Sequence, residues 1–227
     1  MPRTVNVISH TVRREAFLDA AQELIQTRGY ERMSVQDVLD KLQTSRGAFY
    51  HYFDSKLALL EGVVDRFSDG AIRSIQPILT DPTIPAPAKL ERIIAGFARL
   101  KAERKELMLA LIEVMNSDAN ALFREKLRRL TVDRLSPILA EVIQQGIDER
   151  VFGPVGPQEA VRIVLALIIG FQDVASELFI ARQQGRTSFE VVRRSMTAFT
   201  EAFERILGAA TGSIRLVDDA TLHFWFD

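Results

Sequence analysis

Apolar positions along the chain recur at intervals of three and four, the spacing of helices that bury one face. Phe17, Ala20, Ala21, Leu24 and Ile25 stand at i, i+3, i+4, i+7 and i+8, and Gly29 follows as a stop. Ser34-Val35-Gln36-Asp37 has the form of a capping box, with Asp in place of the usual Glu. It opens a short helix whose buried face is Val38, Leu39 and Leu42. Gln43-Thr44-Ser45 interrupts that helix. Ser45 is placed to cap a second short one, with Phe49 and Phe53 on one face at i, i+4. Asp54 or Ser55 opens the next, whose Leu57, Leu60, Val63, Val64 and Phe67 lead towards Pro77.

Thr80–Ala88, with three prolines, reads as a linker. Beyond it, helical patterns run over about 88–103, 104–116, 119–150, 157–184 and 187–208. Pro137 is expected to kink the third of these, and Pro157 suits a first helical turn. Strand-like spacing is confined to the tail Ser213–Asp227, which ends His223-Phe224-Trp225-Phe226. The expected fold class is all-α. A small N-terminal helical domain occupies 1–56, a helix from about 55 to 79 links it onward, and a larger helical domain fills 57–227.

Composition narrows the chemistry. With 47% hydrophobic and 26% charged residues, the 227-residue chain has material for a soluble core. The lack of cysteine excludes disulfides, thiolate metal sites and a Cys nucleophile. Histidines only at 10, 51 and 223 and no Gly-rich phosphate loop argue against an enzyme, a metal or a cofactor. Residues 1–15 lack the apolar core of a secretory signal. The most apolar run, Ile163–Phe171, is shorter than the ~20 residues that cross a bilayer. A cytoplasmic protein with no membrane partner is expected.

The stretch 34–56 carries the informative chemistry. A capped short helix, a break and a second short helix form the bihelical unit that presents a helix to the DNA major groove. Residues 43–53 contain Arg46 and no acid, along with the hydrogen-bonding Thr44, Ser45, Tyr50, His51 and Tyr52 and the small Gly47 and Ala48. Net charge, −1 overall, is distributed as +1 over residues 1–56 and −2 over the rest. Arg3, Arg13 and Arg14 precede the first acid, and Arg46 and Lys56 flank the candidate reading helix. What DNA requires is a local positive surface.

The run Thr44-Ser45-Arg46-Gly47-Ala48-Phe49-Tyr50-His51-Tyr52-Phe53-Asp54-Ser55-Lys56, followed by Leu57 and Leu60, resembles the TetR family of bacterial transcriptional regulators. The strong match covers about residues 10–66, and beyond it the likeness is one of length and helical layout. Gln43 stands where the family commonly has Gly, so it is expected to take φ > 0 at some strain. Leu39 and Ala48 replace a common Ala and a frequent Thr.

The resemblance implies roles by position. Arg46, Gly47, Ala48 and His51 would face base edges, with Thr44 and Ser45 at the start of the reading helix. Tyr50, Tyr52 and Lys56 would hold phosphates. Ser34 and Gln36 would meet backbone or base from the preceding helix. A homodimer through the helices at about 157–184 and 187–208 is implied, the first being apolar nearly all round and the second carrying Phe189, Val192, Met196, Phe199, Phe203 and Ile206. A small, largely apolar effector would meet Phe97, Met108, Leu111, Met115, Phe123 and Phe171, oriented by polar groups such as Arg134 and Gln172. These residues also read as ordinary core. Two basic clusters, Arg99/Lys101/Arg104/Lys105 and Arg124/Lys126/Arg128/Arg129, read as exposed helix faces.

The function expected is that of a sequence-specific DNA-binding regulator, a repressor released by its ligand. The competing readings are an activator of the same fold and a helical interaction protein with a degenerate DNA-binding domain.

Overall fold

The computed structural model describes residues 3–117, 120–154 and 156–227, with side chains from His10 onward. Ten helices follow one another, and no strand occurs among the described residues: α1 (Arg3–Arg28), α2 (Val35–Leu42), α3 (Arg46–Tyr50), α4 (Lys56–Thr80), α5 (Ala86–Ala102), α6 (Lys105–Met115), α7 (Ala121–Asp148), α8 (Pro157–Gln183), α9 (Phe189–Leu207) and α10 (Asp219–Phe226). The all-α expectation holds. The helices expected after the linker appear within about two residues of their expected ends. The linker itself is shorter than expected, because α4 continues through Pro77 to Thr80 and α5 starts at Ala86. Pro137 likewise lies inside the helix α7.

The tail differs from its strand-like spacing. Asp218 accepts from the Thr221 N–H at 2.7 Å and caps α10, which puts Leu222 and Phe226 on one buried face at i, i+4. A helix buries that pair against neighbours that spacing alone does not reveal.

Contacts divide the chain into two compact units. The first comprises residues 1–71 and 103–123, the second residues 72–102 and 124–227. The expected division after residue 56 therefore falls inside the first unit, which also takes in α6 and the first two-thirds of α4.

In the first unit, Phe17, Leu18, Ala21 and Ile25 of α1 are buried with Val38 and Leu39 of α2, Phe49 of α3, Phe53, and Leu59, Leu60 and Val63 of α4. Each such side chain contributes roughly 1.5–3 kcal/mol of apolar burial. Phe17 sits at the centre, its ring 5.7 Å from Phe49, 5.6 Å from Tyr52 and 6.1 Å from Phe53. Gly62 lets α4 approach closely, since a Cβ there would lie 2.9 Å from Leu18 Cδ2 and 3.1 Å from the Phe53 ring. Polar ties finish the assembly. Arg66 donates to Glu15, Asp19 and Gln22 of α1 at 3.1, 2.6 and 2.9 Å, and Lys41 of α2 reaches Glu23 at 2.6 Å.

The second unit has a core of Ile75, Leu79, Leu90, Ile93, Ile138, Leu139, Val142, Ile143, Val161, Val164, Leu165, Phe203 and Leu207, among others. The tail belongs to it. Ile214 and Leu216 enter this core, while Leu222 and Phe226 join Val192 and Met196 in a satellite cluster beside Phe171, Phe179 and Trp225. The buried Glu204 carboxylate accepts from the Ile214 N–H at 3.0 Å, and Arg182 Nε donates to the Phe226 carbonyl at 3.0 Å. Of the expected exposed basic faces, Arg128 and Arg129 are exposed and pair with Glu125, whose carboxyl those guanidiniums hold down to about 2. Lys101 is half-buried instead, and desolvation pushes its ammonium below the ordinary lysine range.

Candidate nucleic-acid interface

Local signals build the helix pair. Ser34 Oγ accepts from the Asp37 N–H at 3.1 Å, and the Asp37 carboxylate accepts from the Ser34 N–H at 2.8 Å, which completes the expected box. These bonds from Ser34, with Arg28 at 3.0 Å, hold the Asp37 carboxyl below the usual carboxylate range. At the far end of α2, Gln43 takes φ 48°, ψ 48°, as its place opposite a common Gly implied. Its N–H donates to Asp40 O at 3.2 Å and the Thr44 N–H to Leu39 O at 3.1 Å, the two bonds of a Schellman motif. Ser45 then caps α3 by accepting from the Ala48 N–H at 3.3 Å, and Ser55, of the two candidates, caps α4 through the Ala58 N–H at 3.0 Å.

The capped α3 buries Phe49 and turns Ser45, Arg46, Gly47, Tyr50 and His51 outward; Tyr50 is 54% exposed. Thr44, Ala48 and Tyr52 are half-buried. Charge is sorted on the same surface. Arg28, Lys41 and Arg66 are each tied to carboxylates, and the Asp40 carboxylate is occupied by Gln36 Nε2 at 2.7 Å. Arg46 and Arg13 have no carboxylate partner among the described residues. Arg46, on the reading helix itself, is thus one of the cations left for a polyanion.

Three placements differ from simple expectation. Lys56 Nζ lies 4.1 Å from the Tyr30 ring centroid and donates to the Glu31 carbonyl at 3.3 Å, so it joins α4 to the turn after α1. Tyr52 packs against Phe17 and His10 with ring separations of 5.6 and 4.6 Å. His51, next to it, stands 5.4 Å from His10. His10 was not among the sequence candidates. The signal for it was the spacing 10, 14, 17, which carries it along the same face of α1 as Phe17. The Arg3 side chain lies outside the described residues.

The effector candidates fall in both units. Met108, Leu111, Met115 and the buried Phe123 belong to the first, and Phe97, Arg134, Phe171 and Gln172 to the second. Phe171 packs edge-on to Phe199 at 5.3 Å, Phe97 borders the main core, and Gln172 is exposed.

Comparison with known proteins places both parts of the chain. The family profile described as "Bacterial regulatory proteins, tetR family" matches residues 17–63, and "Tetracyclin repressor-like, C-terminal domain" matches residues 107–202. Together they cover well over half of the chain. The repressor KstR2 of Mycolicibacterium smegmatis is 24% identical over 148 residues, 63% of this chain and 68% of its own length. The regulator YfiR of Bacillus subtilis is 25% identical over 152 residues, 72% of its own length, and other curated relatives are matched over as little as 26% of theirs, for one that is 42% identical over 52 residues. Among solved structures, a TetR transcription regulator from Haloarcula marismortui covers 85% of this chain and 98% of its own, at 24% identity and a TM-score of 0.61. The SmeT–triclosan complex covers 91% and 98%, at 18% identity and a TM-score of 0.58. At these identities the structural matches establish the fold.

Proposed function

The chain belongs to the TetR family of bacterial regulatory proteins, and on that premise we propose that it is a one-component, sequence-specific transcriptional repressor, active in the cytoplasm and not an enzyme. The observation that carries the reading is the outward face of α3, where Ser45, Arg46, Gly47, Tyr50 and His51 are exposed and Arg46 has no carboxylate partner among the described residues. Arg46 has the fork for a bidentate contact to guanine, and Tyr50 supplies a hydroxyl for a phosphate. Ser34 and Gln36 are exposed on the preceding helix, at a second approach to the duplex.

A homodimer supplies two such faces, on half-sites about one helical turn of DNA apart. Its seam is the α8–α9 surface. The most apolar 18-residue window of α8 has a mean hydropathy of 2.0, yet 11% of it is buried within the protomer. By length and composition alone that helix could cross a bilayer. Arg162, Asp173 and Glu177 interrupt its surface, and α9 and α10 pack along it, which favours a second copy as the cover. The effector is a small, largely apolar molecule, in keeping with triclosan in the SmeT complex. KstR2, named a repressor, supports repression over activation.

Footprinting across the protein's own promoter region tests the reading. A protected, two-fold symmetric site is expected, and no sequence preference would overturn it. Arg46→Ala should relax discrimination at one base position, by about 1–3 kcal/mol. Tyr50→Phe should weaken all sequences alike.

A further inference from the structure

Two imidazoles meet at the rim of the reading helix. His10 comes from α1 and His51 from the end of α3; their ring centroids are 5.4 Å apart, edge to face, and both side chains are exposed. Tyr52 serves both as a common wall, 4.6 Å from His10 and 5.0 Å from His51. Behind Tyr52 stands the buried Phe17, at 5.6 Å. The pair is thus set by the core of the unit and not by a loose side chain. Neither ring is bonded to a carboxylate among the described residues.

We propose that His10 and His51 form a proton-dependent phosphate clamp, which makes α1 a DNA-contacting element outside the helix-turn-helix and operator affinity a function of pH. The proposal rests on the DNA-binding reading above. Imidazole suits the task because it changes charge near neutrality, and as imidazolium each ring offers two N–H donors to phosphate oxygens.

The charged and titratable groups on the surrounding elements are mostly cationic or neutral. Along α1 stand Arg13, exposed, and Arg14, 5.4 Å from the Phe53 ring and 3.6 Å from Glu15. On α3 stand Arg46, Tyr50 and Tyr52. Asp54 follows three residues after His51, and at the head of α4 Lys56 is engaged with Tyr30. A phosphate that accepts from the exposed N–H groups of both rings favours their charged forms over the neutral ones, so binding is coupled to proton uptake. The contribution to affinity is therefore expected to grow as pH falls and to fade as pH rises. The limit is a tenfold change in affinity per pH unit for each proton taken up.

The test measures affinity for a duplex selected from random sequence by the wild-type protein, at fixed salt and between about pH 6 and pH 8. The variants are His10→Ala, His10→Gln, His51→Ala and His223→Ala. The last is the remaining histidine of the chain; it lies on α10, bonded to Asp227 at 2.5 Å, and serves as the control. Wild-type and His223→Ala affinity should rise about tenfold or more towards pH 6. Each His10 variant should lose at least half of that slope while keeping its affinity near pH 8 within about threefold, and His51→Ala should lose the same slope whatever its affinity near pH 8. The salt dependence should steepen by about one phosphate contact or more at the lower pH in the wild type and in His223→Ala, and not in the His10 variants. A wild-type profile flat with pH, or a His10→Ala profile parallel to wild type, overturns the clamp while leaving DNA recognition intact. Absence of selective binding at both ends of the range overturns the DNA-binding reading and the clamp with it.

Discussion

Lys56 Nζ lies 4.1 Å from the centroid of the Tyr30 ring and at the same time donates to the Glu31 carbonyl, 3.3 Å away. The first residue of α4 is thereby fastened to the turn that ends α1. A cation over an aromatic face is worth about 0.5–2 kcal/mol, depending on how far it is desolvated, and this ammonium is half-buried. Lys56→Ala and Tyr30→Leu should therefore each destabilise the protein. In a double-mutant cycle by urea denaturation they should show a coupling of about 1 kcal/mol. A coupling near zero would assign Lys56 to phosphate alone.

The burial of Tyr30 sets an alkaline limit. Burial, aided by the neighbouring Glu31 carboxylate, pushes the Tyr30 phenol up to about 12. A pKa raised above the unfolded value of about 10 means that the stability contribution is complete below pH ~10 and is lost as pH climbs towards the folded value. Of the three tyrosines, Tyr50 is exposed and Tyr52 half-buried. Tyrosinate absorbance should therefore show a late-titrating group whose ionisation coincides with loss of helical signal. Titration of all three in a single step, with helix retained, would contradict the burial of Tyr30.

What could be read in advance follows the range over which each interaction acts. The capping box at Ser34 and the Ser45 cap are dictated by residues within four positions of one another, and both appear as expected; the left-handed Gln43 follows from the resemblance, which sets it opposite a common Gly. The outward face of α3 follows from them once Phe49 and Phe53 are inward. The helix α10 was illegible because Leu222 and Phe226 acquire their helical meaning from Val192 and Met196 on α9. The Lys56–Tyr30 contact is not legible in the sequence because the aromatic partner lies in a different turn, nor is the place of His10, because its neighbours His51 and Tyr52 are brought to it only by packing around Phe17. The division within α4 is likewise a product of tertiary contacts, for the helix is continuous across it.

Gln43 marks a place where local stability is open to improvement. Its φ of 48° lies in the left-handed region, where a residue with a Cβ is strained by about 1 kcal/mol or more, whereas glycine is not. Some of that gain is returned as the greater entropy of glycine in the unfolded chain. Gln43→Gly should raise stability by about 0.5–1 kcal/mol, seen as a higher urea midpoint at unchanged slope. A lower midpoint would mean that the exposed Gln43 side chain makes a compensating contribution.

The dimer seam can be tested at Ile163, which is 48% exposed on α8. On the protomer a glutamate at that position meets solvent, so the fold should tolerate it. In a dimer it would bury an unpaired carboxylate, at a cost of about 3–5 kcal/mol. Ile163→Glu should therefore weaken self-association at least a hundredfold, measured by sedimentation equilibrium, with helical content unchanged. Ile163→Leu should remain dimeric. Because two half-sites are held by one dimer, the glutamate variant should also lose operator affinity at concentrations where wild type is fully bound, and regain part of it as protein is raised. A wild-type chain that sediments as a monomer would remove the seam, and a fully dimeric Ile163→Glu would move it to another face.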